Sequence, residues 1–208
     1  MSRISDTVGV PGAVLPVIHI ADVEQVVEEA RLALHTGAHG VFLIHHGGDS
    51  LLTIEAADAV FASFSADCRA QPFIGVNLLG KTPVEAFQCL HYERSYPVCG
   101  VWCDEASDGL VKHAGSSGVW ASLYFASVAF KGQPQPADLA RAAWIEIAQG
   151  ADVLTTSGPA TGKPCDPAKV RALREAVGPW YGVGVASGVR ASNAAELVRA
   201  GADALLVA

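Results

Sequence analysis

Three stretches of this chain repeat one pattern in slightly different letters: His35-Thr-Gly-Ala-His-Gly-Val-Phe-Leu-Ile44, Ile147-Ala-Gln-Gly-Ala-Asp-Val-Leu-Thr-Thr156 and Val198-Arg-Ala-Gly-Ala-Asp-Ala-Leu-Leu-Val207. Each closes an amphipathic run, passes through Gly-Ala and opens an apolar run short enough to be a buried strand. Glycine at that place ends a helix by taking the left-handed backbone conformation that a side chain disfavours. An apolar run of that length suits a strand covered on both faces, as in a parallel sheet. Three such units spread along the chain specify a repeated helix-to-strand module, the rhythm of a (β/α) barrel. The chain therefore reads as an α/β protein, a (β/α)8 TIM-type barrel forming a single domain over residues 1–208.

With 208 residues, half of them hydrophobic, the chain can bury one large core but not two comfortable ones. A complete eightfold barrel typically takes about 250 residues. The eighth strand falls at residues 203–207 with no loop or helix after it, so the barrel is expected to be truncated after strand eight. A barrel left open there exposes the apolar flanks of its first and last strands, which predicts a homo-oligomer. The net charge of −7 argues against nucleic acid or an anionic membrane as a partner. A local cradle of backbone N–H groups can still hold a small anion. No apolar stretch approaches the roughly 20 residues of a membrane span. The N-terminal run, broken by Pro11, Gly12 and Pro16, lacks a signal-peptide cleavage pattern. Cysteines at 68, 89, 99, 103 and 165 contain no Cys-x-x-Cys pair, so they read as small core residues, with Cys99 and Cys103 on one strand face. A cytoplasmic location is the expectation.

Along the chain, strands are predicted at 14–20, 40–46, 72–77, 98–103, 119–126, 152–156, 181–185 and 203–207, after an irregular start. Helices are predicted at 21–34, 51–66, 82–94, 137–149, 167–176 and 191–200, with 104–118 as a polar loop holding a short helix. Thr82-Pro-Val-Glu85 supplies a capping residue, proline at the first helical position and glutamate at the third.

In a barrel the loops after the strands form the active face. Those positions hold His19, His45 and His46, Asn77, Asp104, Lys131, the stretch from Thr155 to Gly158, and Ser187-Gly188. Thr155-Thr-Ser-Gly-Pro-Ala-Thr-Gly-Lys163 and Gly184-Val-Ala-Ser-Gly-Val-Arg190 are rich in hydroxyls and glycines that can present donors to an oxyanion. They nominate Thr156, Ser157, Gly158, Gly162, Ser187 and Gly188 as phosphate-binding residues, with Ser192 or Asn193 leading into a helix whose N-terminus favours an anion. Adjacent His45 and His46 point to opposite faces of a strand, so at most one faces a ligand. No metal-ligand spacing is visible, and no metal or other cofactor is expected. His19 and the two histidines are candidate ligand contacts, while His113 sits in a polar loop. Lys131 is a candidate cationic anchor or Schiff-base lysine. Asn77 and Asp104 are placed to orient a hydroxylated substrate.

These residues resemble the BtpA family of barrel proteins. Ala-Asp-Val-Leu-Thr-Thr-Ser-Gly-Pro-Ala-Thr-Gly-Lys-Pro, from Ala151, is similar to that family's strand-six motif. The turn at 182–189 and Ile74-Gly-Val-Asn-Leu-Leu79 are similar to its Gly-Ser-Gly-Val and Gly-Val-Asn segments. Residues 125–131 loosely resemble its lysine-bearing strand-five stretch. The first strand departs from the family pattern, as does His45-His-Gly-Gly-Asp49. The resemblance implies a fold related to phosphate-binding barrel enzymes, and a family linked to photosystem I biogenesis whose reaction is unsettled.

Asp152-Val-Leu-Thr-Thr-Ser-Gly also looks like the diphosphate motif of type I phosphoribosyltransferases. That motif has its apolar strand before an acidic pair, whereas here a single acid comes first and the apolar residues follow, so the likeness reads as a decoy. The leading expectation is an enzyme acting on a phosphosugar or phosphoribosyl compound, with Asn77, Asp104 and Lys131 as its catalytic residues. The alternatives are a non-catalytic assembly or regulatory factor of the BtpA type, and a phosphoribosyltransferase using phosphoribosyl diphosphate with Mg2+ through Asp152.

Overall fold

The computed structural model describes residues 3–65, 72–93, 98–107, 111 and 122–208. The described residues form eight strands: β1 (Ala13–His19), β2 (Gly40–Ile44), β3 (Phe73–Asn77), β4 (Gly100–Cys103), β5 (Leu123–Ser127), β6 (Val153–Thr156), β7 (Gly182–Ala186) and β8 (Ala204–Val207). All neighbours pair in parallel and in sequence order, closing a TIM-type barrel. The helices are α1 (Arg3–Val8), α2 (Val23–His35), α3 (Ser50–Ser65), α4 (Pro83–Glu93), α5 (Leu139–Ala148), α6 (Pro167–Val177) and α7 (Ala191–Arg199). Cys68, His113 and most of the polar segment predicted between the fourth and fifth strands lie outside the described residues.

Several expectations are corrected. β8 pairs directly with β1, from Ala13 opposite Ala204 to Pro16 opposite Val207, so the barrel is closed by hydrogen bonds at that seam rather than open. The start of the chain is not irregular: α1 occupies residues 3–8 and buries Ile4 completely. Ile4 sits against Gly182, where an added Cβ would stand 2.9 Å from its side chain, so α1 plugs the N-terminal end of the barrel. Cys99 precedes β4 and packs on the barrel interior, whereas Cys103 lies in the outer cluster, so the two do not share a face.

The Gly-Ala repeats have one structural explanation. Gly37, Gly150 and Gly201 take φ values of 102, 110 and 112°, in the left-handed region. The next residue's N–H then reaches back into the helix, from Ala38 to the Ala33 carbonyl (3.0 Å), Ala151 to Glu146 (3.0 Å) and Ala202 to Leu197 (3.1 Å). The third residue stitches the preceding strand. His39, Asp152 and Asp203 donate their N–H to the carbonyls of Val14 (3.0 Å), Tyr124 (3.0 Å) and Val183 (2.8 Å). Their side chains accept the N–H of those same residues at 3.1, 2.9 and 2.9 Å. Each repeat thus closes a two-bond bridge at the N-terminal rim, where backbone groups would otherwise lack partners. Helix starts follow the same local logic. At α4, the Thr82 N–H donates to the Glu85 carboxylate (2.9 Å), and the Glu85 N–H donates to the Thr82 hydroxyl (3.3 Å).

Strand side chains alternate between two cores. Val41, Leu43, Val76, Tyr124, Val183 and Leu205 face the helices, whereas Leu15, Phe42, Phe73, Trp102, Phe125 and Leu206 fill the barrel. The interior is a cluster of aromatic rings, with Phe42 4.9 Å from Phe125 and 5.7 Å from Phe73 between centroids. Small residues on neighbouring strands make room for them. A Cβ at Gly75 would stand 2.4 Å from the Phe42 ring, which is itself fully buried. Gly75→Ala is expected to cost about 1–3 kcal/mol through overpacking, lowering Tm by roughly 2–12 °C for a domain of this size. A thermal melt checks this, and Phe42→Leu in the same chain should recover part of the loss.

Candidate active site

The strands deliver their C-terminal residues to one mouth. β1 ends on His19, β2 leads to His46, β3 ends on Asn77 and β4 leads to Asp104. The loops after β5, β6 and β7 bring Lys131, Thr161 and Ser187. A cavity of about 300 Å³ opens there, floored by Trp102, Val17 and Leu206, with His19, His46, Asp104, Lys131, Thr161 and Ser187 on its walls. The floor is rigid, because the Trp102 indole donates to the Ser127 hydroxyl (3.3 Å), which donates to the Cys103 carbonyl (2.6 Å). A second cavity of about 330 Å³ lies outside the barrel against α5 and is largely apolar apart from Ser127, Gln133 and Glu146.

Asp104 accepts a hydrogen bond from the Asn77 side-chain amide at 3.0 Å. Burial pushes its pKa above the usual carboxylate range, against the opposing pull of the Asn77 hydrogen bond, Lys131 and His46, and with a push from Glu105. Across the mouth, His46 Nε2 lies 3.3 Å from His19 Nδ1, the rings edge to face with centroids 4.5 Å apart. Burial holds His19 below the ordinary histidine value; His46 and Lys131 add to this, and Glu29 opposes it. His45 points elsewhere: its Nδ1 accepts the Asp49 N–H at 3.0 Å and shapes the turn after β2.

Lys131 sits on a constrained turn. Its N–H donates to the Ser157 hydroxyl (2.7 Å), and its Nζ lies 3.4 Å from the Thr161 hydroxyl. Ala129, two residues earlier, has φ 49°, a strained conformation for a residue with a side chain. Two residues that the sequence reading passed over hold this turn. Lys169, from the first turn of α6, donates to the carbonyls of Ala129 and, at 3.0 Å, Ser157. Gln133 accepts the Phe130 N–H (3.0 Å) and donates to the Asp104 carbonyl (2.9 Å). A lysine in the first turn of a helix opposes the helix dipole, which is the signal in the sequence that marks Lys169 as unusual.

The glycine-rich loops are built differently from a simple cradle. Gly158 and Gly188 clasp the chain at Lys163, where added Cβ atoms would lie 2.3 and 2.1 Å from its carbonyl oxygen. The Gly162 N–H donates to the Ser187 hydroxyl at 3.0 Å. Ser187, held at φ 68°, lines the cavity, and Thr161 from the β6 loop joins it. Thr156 pairs with Val185 on the helix-facing side of β6 and is fully buried. Asn193 folds back to accept the Arg190 N–H (2.8 Å). Asp152 lies at the opposite end of the barrel with the rim bridges, which leaves the phosphoribosyltransferase alternative without its acid in the mouth. Among the described residues no group of three or more His, Cys, Asp or Glu is disposed to hold a metal ion, and no helix is long and apolar enough to cross a membrane.

Solved structures share this fold. No protein-family model matches the chain, and no curated protein does. Thiamine phosphate pyrophosphorylase from Pyrococcus furiosus superimposes with a TM-score of 0.63 at 18% identity, over 95% of this chain and 86% of that one. A 2,3-dimethylmalate lyase of the PEP mutase/isocitrate lyase superfamily gives 0.64 at 13%, over 100% and 81%. A designed cube-shaped protein cage gives 0.65 at 14%, over 95% of this chain, which spans 63% of that chain's length. At such identities the likeness is one of fold.

Proposed function

We propose that the chain is an enzyme that binds a small phosphorylated metabolite, of the phosphosugar or phosphoribosyl class, in the mouth of the barrel. The observation that carries this reading is the convergence of Asp104, Lys131, His19, His46, Thr161 and Ser187 on one cavity of about 300 Å³. That volume is at the small end of ligand sites and suits a few carbons with one phosphate. The loop hydroxyls and Lys131 would hold the anion. Asp104, made more basic by burial and oriented by Asn77, is suited to remove or return a proton. Lys131 beside it would stabilise the oxyanion that proton removal creates. The likeness of the β6 loop to the BtpA family and the names of structural neighbours such as thiamine phosphate pyrophosphorylase support the same substrate class.

A thermal-shift panel of phosphosugars, inorganic phosphate, and phosphoribosyl diphosphate with and without magnesium tests it. A ligand at about 100 times its Kd stabilises by about 2.7 kcal/mol, a rise of roughly 5–11 °C for a domain of this size. Stabilisation by a phosphosugar without magnesium is the expected result. Stabilisation by phosphoribosyl diphosphate alone, and only with magnesium, would replace this reading with the transferase. Silence across the panel would replace it with the assembly factor.

A further inference from the structure

We propose that His19 and His46 act as one proton-accepting unit that matches the charge of a doubly negative ligand, so that the protein takes up a proton when such an anion enters the mouth. The inference rests on the reading of the cavity as an anion site. Its basis is the geometry of the pair: Nε2 of His46 faces Nδ1 of His19 at 3.3 Å, with the rings perpendicular and both on the cavity wall. A single hydrogen fits between those nitrogens, donated by one ring and accepted by the other. The bridge therefore survives with the pair neutral or carrying one positive charge. A second charge would set two N–H donors against each other and break it.

The surroundings fix which of those states is populated. The charged groups acting on His19 are His46 from the β2 loop, Lys131 from the β5 loop and Glu29 from α2, and Asp104 after β4 interacts with His46. Before a ligand enters, burial, His46 and Lys131 together disfavour charge on His19. An entering dianion reverses this balance. It outweighs Lys131 and adds negative charge beside the imidazole pair, which favours a proton from solvent on the pair. Glu29 favours the same outcome from the helix side. By linkage, wherever binding takes up one proton, affinity rises by about tenfold for each unit of falling pH.

Sulfate is the probe, because it stays doubly charged through the neutral range and any proton taken up belongs to the protein. Calorimetric titration of sulfate at neutral pH, in two buffers of different ionisation enthalpy and with EDTA present, is expected to show uptake approaching one proton. Histidine ring resonances should report an added proton on the pair, and the double variant His19→Gln/His46→Gln should show uptake near zero and a flattened pH dependence of sulfate binding. Sulfate binding without proton uptake, uptake unchanged in the His19→Gln/His46→Gln double variant, or uptake that EDTA abolishes would overturn the proposal and leave the anion site standing. Failure of both sulfate and phosphate to bind at any pH would remove the anion site and this proposal together.

Discussion

Asp104→Asn is expected to lower turnover of the stabilising phosphorylated compound by about 10²–10⁴-fold, the usual range for a positioned general base. The protein should be as stable as before at neutral pH, or more so. Burial raises the Asp104 pKa, so the folded chain holds that proton more tightly than the unfolded chain does. The sign follows: Asp104 lowers stability as pH rises from the ordinary carboxylate range through its raised value, and the penalty persists above it. An asparagine carries no charge to desolvate and still offers an oxygen to the Asn77 amide. The wild-type activity should likewise fall on acidification through that raised value, and the variant should lose this limb. Kinetics across pH together with a thermal melt decide the matter. Lost activity accompanied by a lower Tm would mark Asp104 as structural instead.

Lys131→Ala is expected to reduce turnover by about 10²–10³-fold, the size seen when one oxyanion-stabilising donor is removed. Stability should change little, because the side chain ends on a long contact to Thr161 and a ring face, with Nζ 5.6 Å from the Phe130 centroid. The turn itself is held through the backbone, by the Lys131 N–H on Ser157 and by Lys169 on the Ala129 carbonyl, and alanine keeps both bonds. Steady-state kinetics on the same compound give the answer. Turnover within a few-fold of wild type would remove Lys131 from the reaction.

The barrel was legible because its signals are local. A glycine that must turn left-handed, an apolar run and a capping box each act within a few residues, and together they set where helices stop and strands begin. The parity of a strand likewise separates His45 from His46 before any fold is known. What joined His46 to His19 is the pairing of β1 with β2, which places Ile44 opposite His19. That register is a tertiary fact. The short helix α1 was illegible for a related reason: six residues lie below the length at which a helix holds itself, and burial of Ile4 inside the barrel supplies what propensity does not. The glycine-rich loops show the limit most plainly. Gly158 and Gly188 carry the letters of an anion cradle, yet the atoms they admit so closely belong to Lys163 of the same chain. A sequence records that room is needed at a position and is silent about the occupant. Lys169 and Gln133 act across loops distant in sequence, so their company in the fold is what gives them their role.

The bridges made by His39, Asp152 and Asp203 lie at the end of the barrel away from the cavity. Strand register is thereby locked far from the residues that meet a ligand. Substitutions in the mouth are therefore expected to change what is bound without moving the frame, a separation of recognition from architecture built into the two ends of one sheet.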